Sequence, residues 1–289
     1  MLILPYSYKK HKLPVEQWPE VWYDKQGLRK SAEGIVRYMV RKYIFVFLAV
    51  AVFMLAGSAN GEAAGDQETG LEYFKVRHGS RESSRIAITM DDANEREWVW
   101  KAVELCRQYG ITMTFFPNGF NLKDEDREGW LDAIDAGCEI ASHGNDHKNM
   151  KEQSTWAVLY KLGLFQQKLD RMLQVHYPVR WFRPPFGAIA DASGNESSHT
   201  RTIKLYGYEH ALLWDVSETT AGKAMEKVQN GSILLYHARK KDYECLAELI
   251  PMLLEAGYEP VTVSALFGYE PPEIGGELYT FDKNLYLEK

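Results

Sequence analysis

Three cysteines in 289 residues are too few for a disulfide framework. Cys106, Cys138 and Cys245 are also too scattered for a cysteine-based zinc site. Long apolar runs are missing except at residues 43–57, YIFVFLAVAVFMLAG, which is short for a comfortable membrane span. Internal repeats and low-complexity tracts are absent. Positive charge is in deficit, with 34 Lys/Arg against 40 Asp/Glu. Residues 1–58 hold nine of those Lys/Arg against four Asp/Glu, so the body is more acidic than the whole chain's net −6. An acidic body excludes a nucleic-acid binder and offers no electrostatic docking to an anionic polymer.

What is present is enough to bury a sizeable core. The hydrophobic fraction is 45%, and the length suits one large domain or two ordinary ones. The aromatic fraction of 13% is high. Most of these rings fill a core, and some suit sugar platforms. Cys106 shares a helix face with Val99, Ala102 and Val103 and reads as core filling.

The apolar run follows Arg41 and Lys42 and precedes Gly57-Ser58-Ala59, a secretory pattern. Met39 opens a segment that reads as a complete signal peptide. Residues 1–38 are then expected to be upstream sequence. The alternative is a cytoplasmic tail before an uncleaved anchor, with Arg37, Arg41 and Lys42 held inside. Either way 39–60 directs the body out of the cytoplasm, secreted or anchored facing outward. No cysteine follows the run to take a lipid. Residues 61–84 read as a linker, 85–268 as the catalytic domain and 269–289 as a C-terminal extension.

From Arg85 short apolar runs alternate with helical patterns. Strands are expected at 86–90, 111–116, 139–142, 179–182, 211–214, 232–236 and 260–263. Helices are expected at 94–109 (capped by Asn94), 127–136, 153–174 (Val158, Leu162, Phe165, Leu169 and Met172 stepping along one face) and 243–256. Alternation of this kind implies an α/β fold with parallel strands. Polar residues recur where these strands end: Asp91-Asp92, His143, Arg183, Asp215 and His237. In an α/β barrel those ends converge on one face, where active sites form.

His143 and His147, four apart in SHGNDH, would face one way on a helical turn and grip one metal ion. A pair of surface histidines is the bland reading. Asp91-Asp92 would point in different directions, one to a metal and one to a water, or would simply cap a helix. Asp92, His143 and His147 make one carboxylate and two imidazoles, leaving positions open for water and substrate. Asp91 suits a general base. Arg183, before Pro184-Pro185, suits a bidentate partner for Asp91, and the Phe186 amide suits an oxyanion. His237, at the end of ILLYH, suits a general acid.

In order, TMDD at 89–92, SHGNDH at 142–147, RPPFG at 183–187, WDVS at 214–217 and LYH at 235–237 resemble the polysaccharide deacetylase family, carbohydrate esterase family four. TFFPNG at 114–119 resembles its second strand. The resemblance spans about residues 85–267. It implies a distorted (β/α) barrel with fewer than eight regular strands. It implies Asp91 as base, Asp92, His143 and His147 as ligands of a divalent metal, Arg183 as the arginine tuning the base, and His237 as acid. Zinc is the first choice, with cobalt or nickel as alternatives. Leu235, with Trp214 and Phe186, is implied to line the acetyl pocket. Met90 and Phe186 replace the family's more usual Phe and Tyr. The family's Asp-Trp pair in the fourth motif is absent, and Ser217-Glu218-Thr219-Thr220 follows WDV instead. Asp215 and Glu218 are the candidates to support His237, with Asp215 preferred for its place at a strand end.

The expected activity is hydrolysis of acetyl groups from an N-acetylated sugar polymer, such as a GlcNAc-containing wall glycan. O-deacetylation of another polysaccharide, or a catalytically weak sugar-binding protein that keeps its metal, are the alternatives. Membrane contact is expected only through the N-terminal segment.

Overall fold

The computed structural model describes residues 74–188 and 198–281. Residues 1–38, the apolar run with its export reading, and most of the expected linker lie outside them. Among the described residues no helix is long and apolar enough to cross a membrane.

The fold grows from β2 (Arg85–Asp92), whose residues Ile86 to Met90 are all buried. A strand without polar alternation must be covered on both sides, which parallel strands in an α/β fold provide. β2 pairs in parallel with β3 (Thr114–Pro117), β6 (Ile233–His237) and β7 (Glu259–Val261). β3 pairs with β4 (Glu139–Ile140). Beyond β4 single parallel bridges take over, Ser142 to Phe182 and Phe182 to Ala211 of β5 (Ala211–Leu212). Val216, four residues past β5, bridges Leu234 of β6. The circuit of parallel pairings therefore returns to its start with fewer than eight regular strands.

The pleat sorts each strand into two faces, because successive side chains alternate. Ile86, Ile88 and Met90 join the large cluster with residues of the covering helices. Ala87 joins a smaller cluster with Val76, Phe116, Ala141, Trp181, Leu212 and Ile233. That second set comes from every segment of the circuit and forms its interior. Two residues on from Ala87 is Thr89, and two more is Asp91. The same step of two leads from Ala141 to His143, from Trp181 to Arg183, and from Ile233 through Leu235 to His237. Parity thus delivers four polar side chains to one interior, at one end.

The main helices are α1 (Arg96–Tyr109), α2 (Arg127–Asp135), α3 (Thr155–Leu173), α4 (Ser198–Tyr206), α5 (Ala221–Lys227), α6 (Lys240–Glu255) and α7 (Val263–Leu266). The expected stripe on α3, Val158, Leu162, Phe165, Leu169 and Met172, is buried throughout, and Ser154 caps its start. Cys106 is buried on α1 as expected, and all three cysteines are free thiols.

Several boundaries differ from expectation. Asn94 does not cap α1, which starts at Arg96 with no side-chain cap, because Asp92 and Ala93 turn with positive φ just before it. The expected strand at 179–182 shrinks to the bridge at Phe182. Pro178, Pro184 and Pro185 flank it and lack the N–H a ladder needs. Within the stretch read as a linker, β1 (Lys75–Val76) pairs with β5, and Val76 is buried. Two residues carry no periodicity by which to find such a strand. The tail also packs, with Tyr269 against Trp181 and the Tyr279 amide donating to Asp170 Oδ2 at 2.8 Å.

Gly231 shows how closely the segment after β1 is held. Its φ is +72°, its carbonyl accepts from the Gly79 amide at 2.7 Å, and a Cβ there would lie 2.3 Å from the Ser80 carbonyl oxygen. Backbone cannot yield as a side-chain tip can. Gly231→Ala is expected to lower stability by roughly 2–3 kcal/mol, read from the urea midpoint.

Candidate active site

Asp91 and Asp92 end β2 and part company there. Asp91 keeps β geometry and points into the interior, where it is 2% exposed. Asp92 has φ +73°, which swings its carboxylate over the rim. The Asn118 amide and Asn121 Nδ2 both donate to the Asp92 carbonyl, at 3.3 and 2.9 Å, and hold that turn. A non-glycine residue in this region is strained and persists only where its surroundings impose it.

Across the rim stand His143 and His147. The segment joining them is a loop, since Gly144 and His147 both have positive φ. The expected helical turn is therefore corrected. The two rings converge through the fold of the loop, with centroids 5.0 Å apart. His143 Nδ1 lies 2.9 Å from the Arg183 carbonyl oxygen, which can only accept. The proton therefore sits on Nδ1, and Nε2 keeps its lone pair. Burial holds His143 below its ordinary pKa, favouring the neutral ring that can ligate a metal.

His143 Nε2 and His147 Nε2 lie 3.7 and 3.4 Å from the same atom, Asp92 Oδ1. That oxygen is buried and has no hydrogen-bond partner. One ligand atom from each residue falls within 4.8 Å of the other two. An orphaned carboxylate oxygen facing two imidazole nitrogens fits a divalent cation, and a mixed nitrogen and oxygen set suits zinc.

Arg183 is fully buried. Its Nη1 donates to Asp91 Oδ1 at 2.6 Å and to Thr89 Oγ1 at 2.8 Å. Nε and Nη2 donate to the Leu212 and Leu213 carbonyls at 3.3 and 3.2 Å. The expected bidentate grip on Asp91 is thus a single bond, because the other donors are committed to the end of β5. The guanidinium also lies over the Phe116 ring at 4.3 Å. Asp91 Oδ2, turned the other way, is 3.6 Å from His143 Nε2.

His237 ends β6 in register with Asp91. Leu235, one pleat earlier, is buried, and its amide donates to Val216. Trp214 is half-buried beside Gly187, where φ of +61° and a Trp214 atom 3.2 Å from any added Cβ both call for glycine. Phe186 is exposed, has φ +62°, and sets its ring edge-on to His147 at 4.6 Å.

The two candidates for supporting His237 are both placed elsewhere. Asp215 lies one residue past Trp214, so the pleat turns it away from the interior. It accepts from Arg81 Nη2, Ser232 Oγ and the Ile233 amide at 2.8, 3.0 and 2.8 Å. Glu218 pairs with Lys227 of α5. The carboxylate that reaches His237 is Asp242, in the first turn of α6, 3.4 Å from Nδ1. An acidic residue beginning a helix just after a strand-end histidine was the available signal. It reads equally well as an ordinary helix-dipole residue.

A family model described as polysaccharide deacetylase matches residues 78–209. A Bacillus cereus peptidoglycan-N-acetylglucosamine deacetylase is 28% identical over 210 residues, covering 64% of this chain and 89% of the relative. The Listeria monocytogenes peptidoglycan-N-acetylglucosamine deacetylase PgdA is 26% identical over 218 residues, 71% of this chain but only 42% of the relative. Among solved structures, a family 4 carbohydrate esterase from Bacillus anthracis superposes with TM-score 0.56 at 24% identity, covering 72% of this chain and 95% of that one. A CE4 family pseudoenzyme, also from Bacillus anthracis, superposes with TM-score 0.60 at 21% identity, covering 69% and 71%. These likenesses show the fold.

The ligand geometry predicts one equivalent of zinc bound by the wild-type chain in equilibrium dialysis. His143→Ala and His147→Ala should each abolish stoichiometric binding, whereas Asp91→Asn should retain it. Full occupancy in His143→Ala would remove these residues as ligands.

Proposed function

The chain belongs to the polysaccharide deacetylase family, and from that premise we propose that it hydrolyses acetyl groups from N-acetylated sugars of a GlcNAc-containing polymer outside the cytoplasm. One observation carries this reading. Asp91, Asp92, His143, His147, Arg183 and His237 meet at a single end of the strand circuit although separate segments supply them.

Asp92, His143 and His147 are the residues that would hold a divalent ion. When bound, such an ion supplies Lewis acidity that makes water a nucleophile near neutral pH and polarises a carbonyl. The protein's own groups do the rest. Asp91 takes the proton from the attacking water through Oδ2, the oxygen that Arg183 leaves open. Arg183 fixes the other oxygen and so sets the orientation of the base. The Phe186 amide, held by the turn after Pro184-Pro185, lends a donor to the carbonyl oxygen as it gains charge. His237, in register with Asp91, gives a proton to the departing amine. Leu235 and Trp214 supply the apolar wall for the acetyl methyl group.

Peptidoglycan stands first among substrates because several relatives act on it by name. O-acetylated glycans would be cut by the same groups. The likeness to a pseudoenzyme favours a second reading, a sugar-binding protein with weak catalysis. The complete set of base, arginine and strand-end histidine argues against it.

Acetate release from N-acetylated chito-oligomers and from peptidoglycan should require metal and stop with a chelator. Asp91→Asn should lower kcat by about a hundredfold or more with metal still bound. No release from either substrate, with unimpaired glycan binding, would select the second reading. Release from O-acetylated glycans alone would select O-deacetylation.

The export reading rests on the pattern from Met39 to Gly61. Mass spectrometry of the native protein should find an N-terminus at about residues 58–65. Peptides from residues 1–38 in the mature product would overturn this and favour an anchor.

A further inference from the structure

We propose that Asp242 is the positioning residue for His237, in place of the missing fourth-motif aspartate, and that Arg239 moderates its hold. This rests on His237 acting as the acid in the reaction above. The arrangement is local, closing within six residues of chain where β6 turns into α6.

Asp242 is almost fully buried and its Oδ1 accepts no hydrogen bond, so its charge must be met by the cationic groups beside it. Oδ2 accepts from the His237 backbone amide at 2.7 Å and lies 3.4 Å from His237 Nδ1. Oδ1 lies 3.1 Å from Arg239 Nε. Arg239 begins the turn itself, its amide donating to the His237 carbonyl and its carbonyl accepting from the Asp242 amide. One carboxylate oxygen therefore holds the histidine's main chain and faces its ring, while the other meets a cation. With Nδ1 on the side of Asp242, Nε2 is the atom left to deliver a proton. A carboxylate tied to the main chain of the residue it orients needs no contribution from Asp215, beyond the end of β5.

The charged groups facing His237 are Asp91 and Asp92 from β2, and Asp242 and Arg239 at the start of α6. Asp242 raises the imidazole's pKa most; burial and Arg239 oppose it, and Asp91 and Asp92 assist. Burial works against ionisation of Asp242, yet the His237 amide and the facing charges of His237 and Arg239 overcome it and leave its pKa lowered. The sign follows for activity. A general acid works while protonated, so activity falls as pH rises through the raised pKa of His237. Loss of Asp242's charge must move that fall to lower pH.

Asp242→Asn separates charge from shape, since its carbonyl oxygen can still accept the His237 amide. The readout is the NMR titration of the His237 imidazole in zinc-loaded protein, assigned by the resonance lost in His237→Asn. Asp242→Asn should lower the His237 pKa by about one unit. It should shift the alkaline limb of kcat/KM down equally, with KM little changed. Arg239→Gln should act oppositely, raising the His237 pKa by a few tenths of a unit, and it serves if the Asn variant folds poorly. An unchanged His237 titration in Asp242→Asn, or in Arg239→Gln if that variant must stand in, overturns the proposal. The titration is independent of turnover. A wild type that releases no acetate defeats the deacetylase reading, while the titration alone decides whether Asp242 holds His237.

Discussion

The ion pair between Arg183 and Asp91 is the contact on which the rest of this site depends. Both partners are withdrawn from water, an expensive state unless the pair is well bonded. Here every nitrogen of the guanidinium has work: one meets Asp91 and Thr89, and the other two meet the carbonyls of Leu212 and Leu213. Thr89 in turn donates to the Leu234 carbonyl, extending the network to β6. A single side chain thus joins the ends of β2, β5 and, through Thr89, β6. Removing one partner of such a pair leaves a buried unpaired charge, a loss of roughly 3–5 kcal/mol. The carboxylate that Arg183 stabilises is also the one proposed as the base, so the contact that holds the strands together would orient that base as well.

Strain is concentrated around the same rim. Among the described residues five non-glycine positions have positive φ, and four of them, Asp92, Ala93, His147 and Phe186, are at or beside the site. Each follows a segment that parity has already directed inward. The turn at Asp92 gives two adjacent carboxylates different directions, and the turn at His147 brings its ring back toward His143. Ordinary β or helical geometry at either place would break the triad. The bonds from Asn118 and Asn121 to the Asp92 carbonyl are part of what makes the strained turn persist.

Much of the fold was legible in the sequence. Unbroken apolar runs announced buried parallel strands, the stripe on α3 announced its buried face, and the strand-end polar residues announced their convergence at one end. The motif residues Asp91, Asp92, His143, His147, Arg183 and His237 could all be singled out, because each lies within a few residues of a recognisable strand. Within residues 61–84, read as a linker, β1 escaped notice because it is only two residues long. The helical reading of His143 and His147 failed because spacing alone does not distinguish a helical turn from a loop with left-handed residues.

The sequence by itself determined which residues could carry chemistry and on which face of each strand they would lie, since pleat parity follows from counting. Tertiary structure decided which of them touch. Asp215 and Glu218 were nearest to His237's expected partner in the motif order, yet parity and a lysine on α5 occupy them elsewhere. Asp242 reaches His237 because α6 starts at Lys240, earlier than the expected Tyr243, which puts Asp242 in its first turn facing back to the strand end. Spacing names the residues that can carry charge, but which of them meet depends on where the chain turns as it leaves each strand.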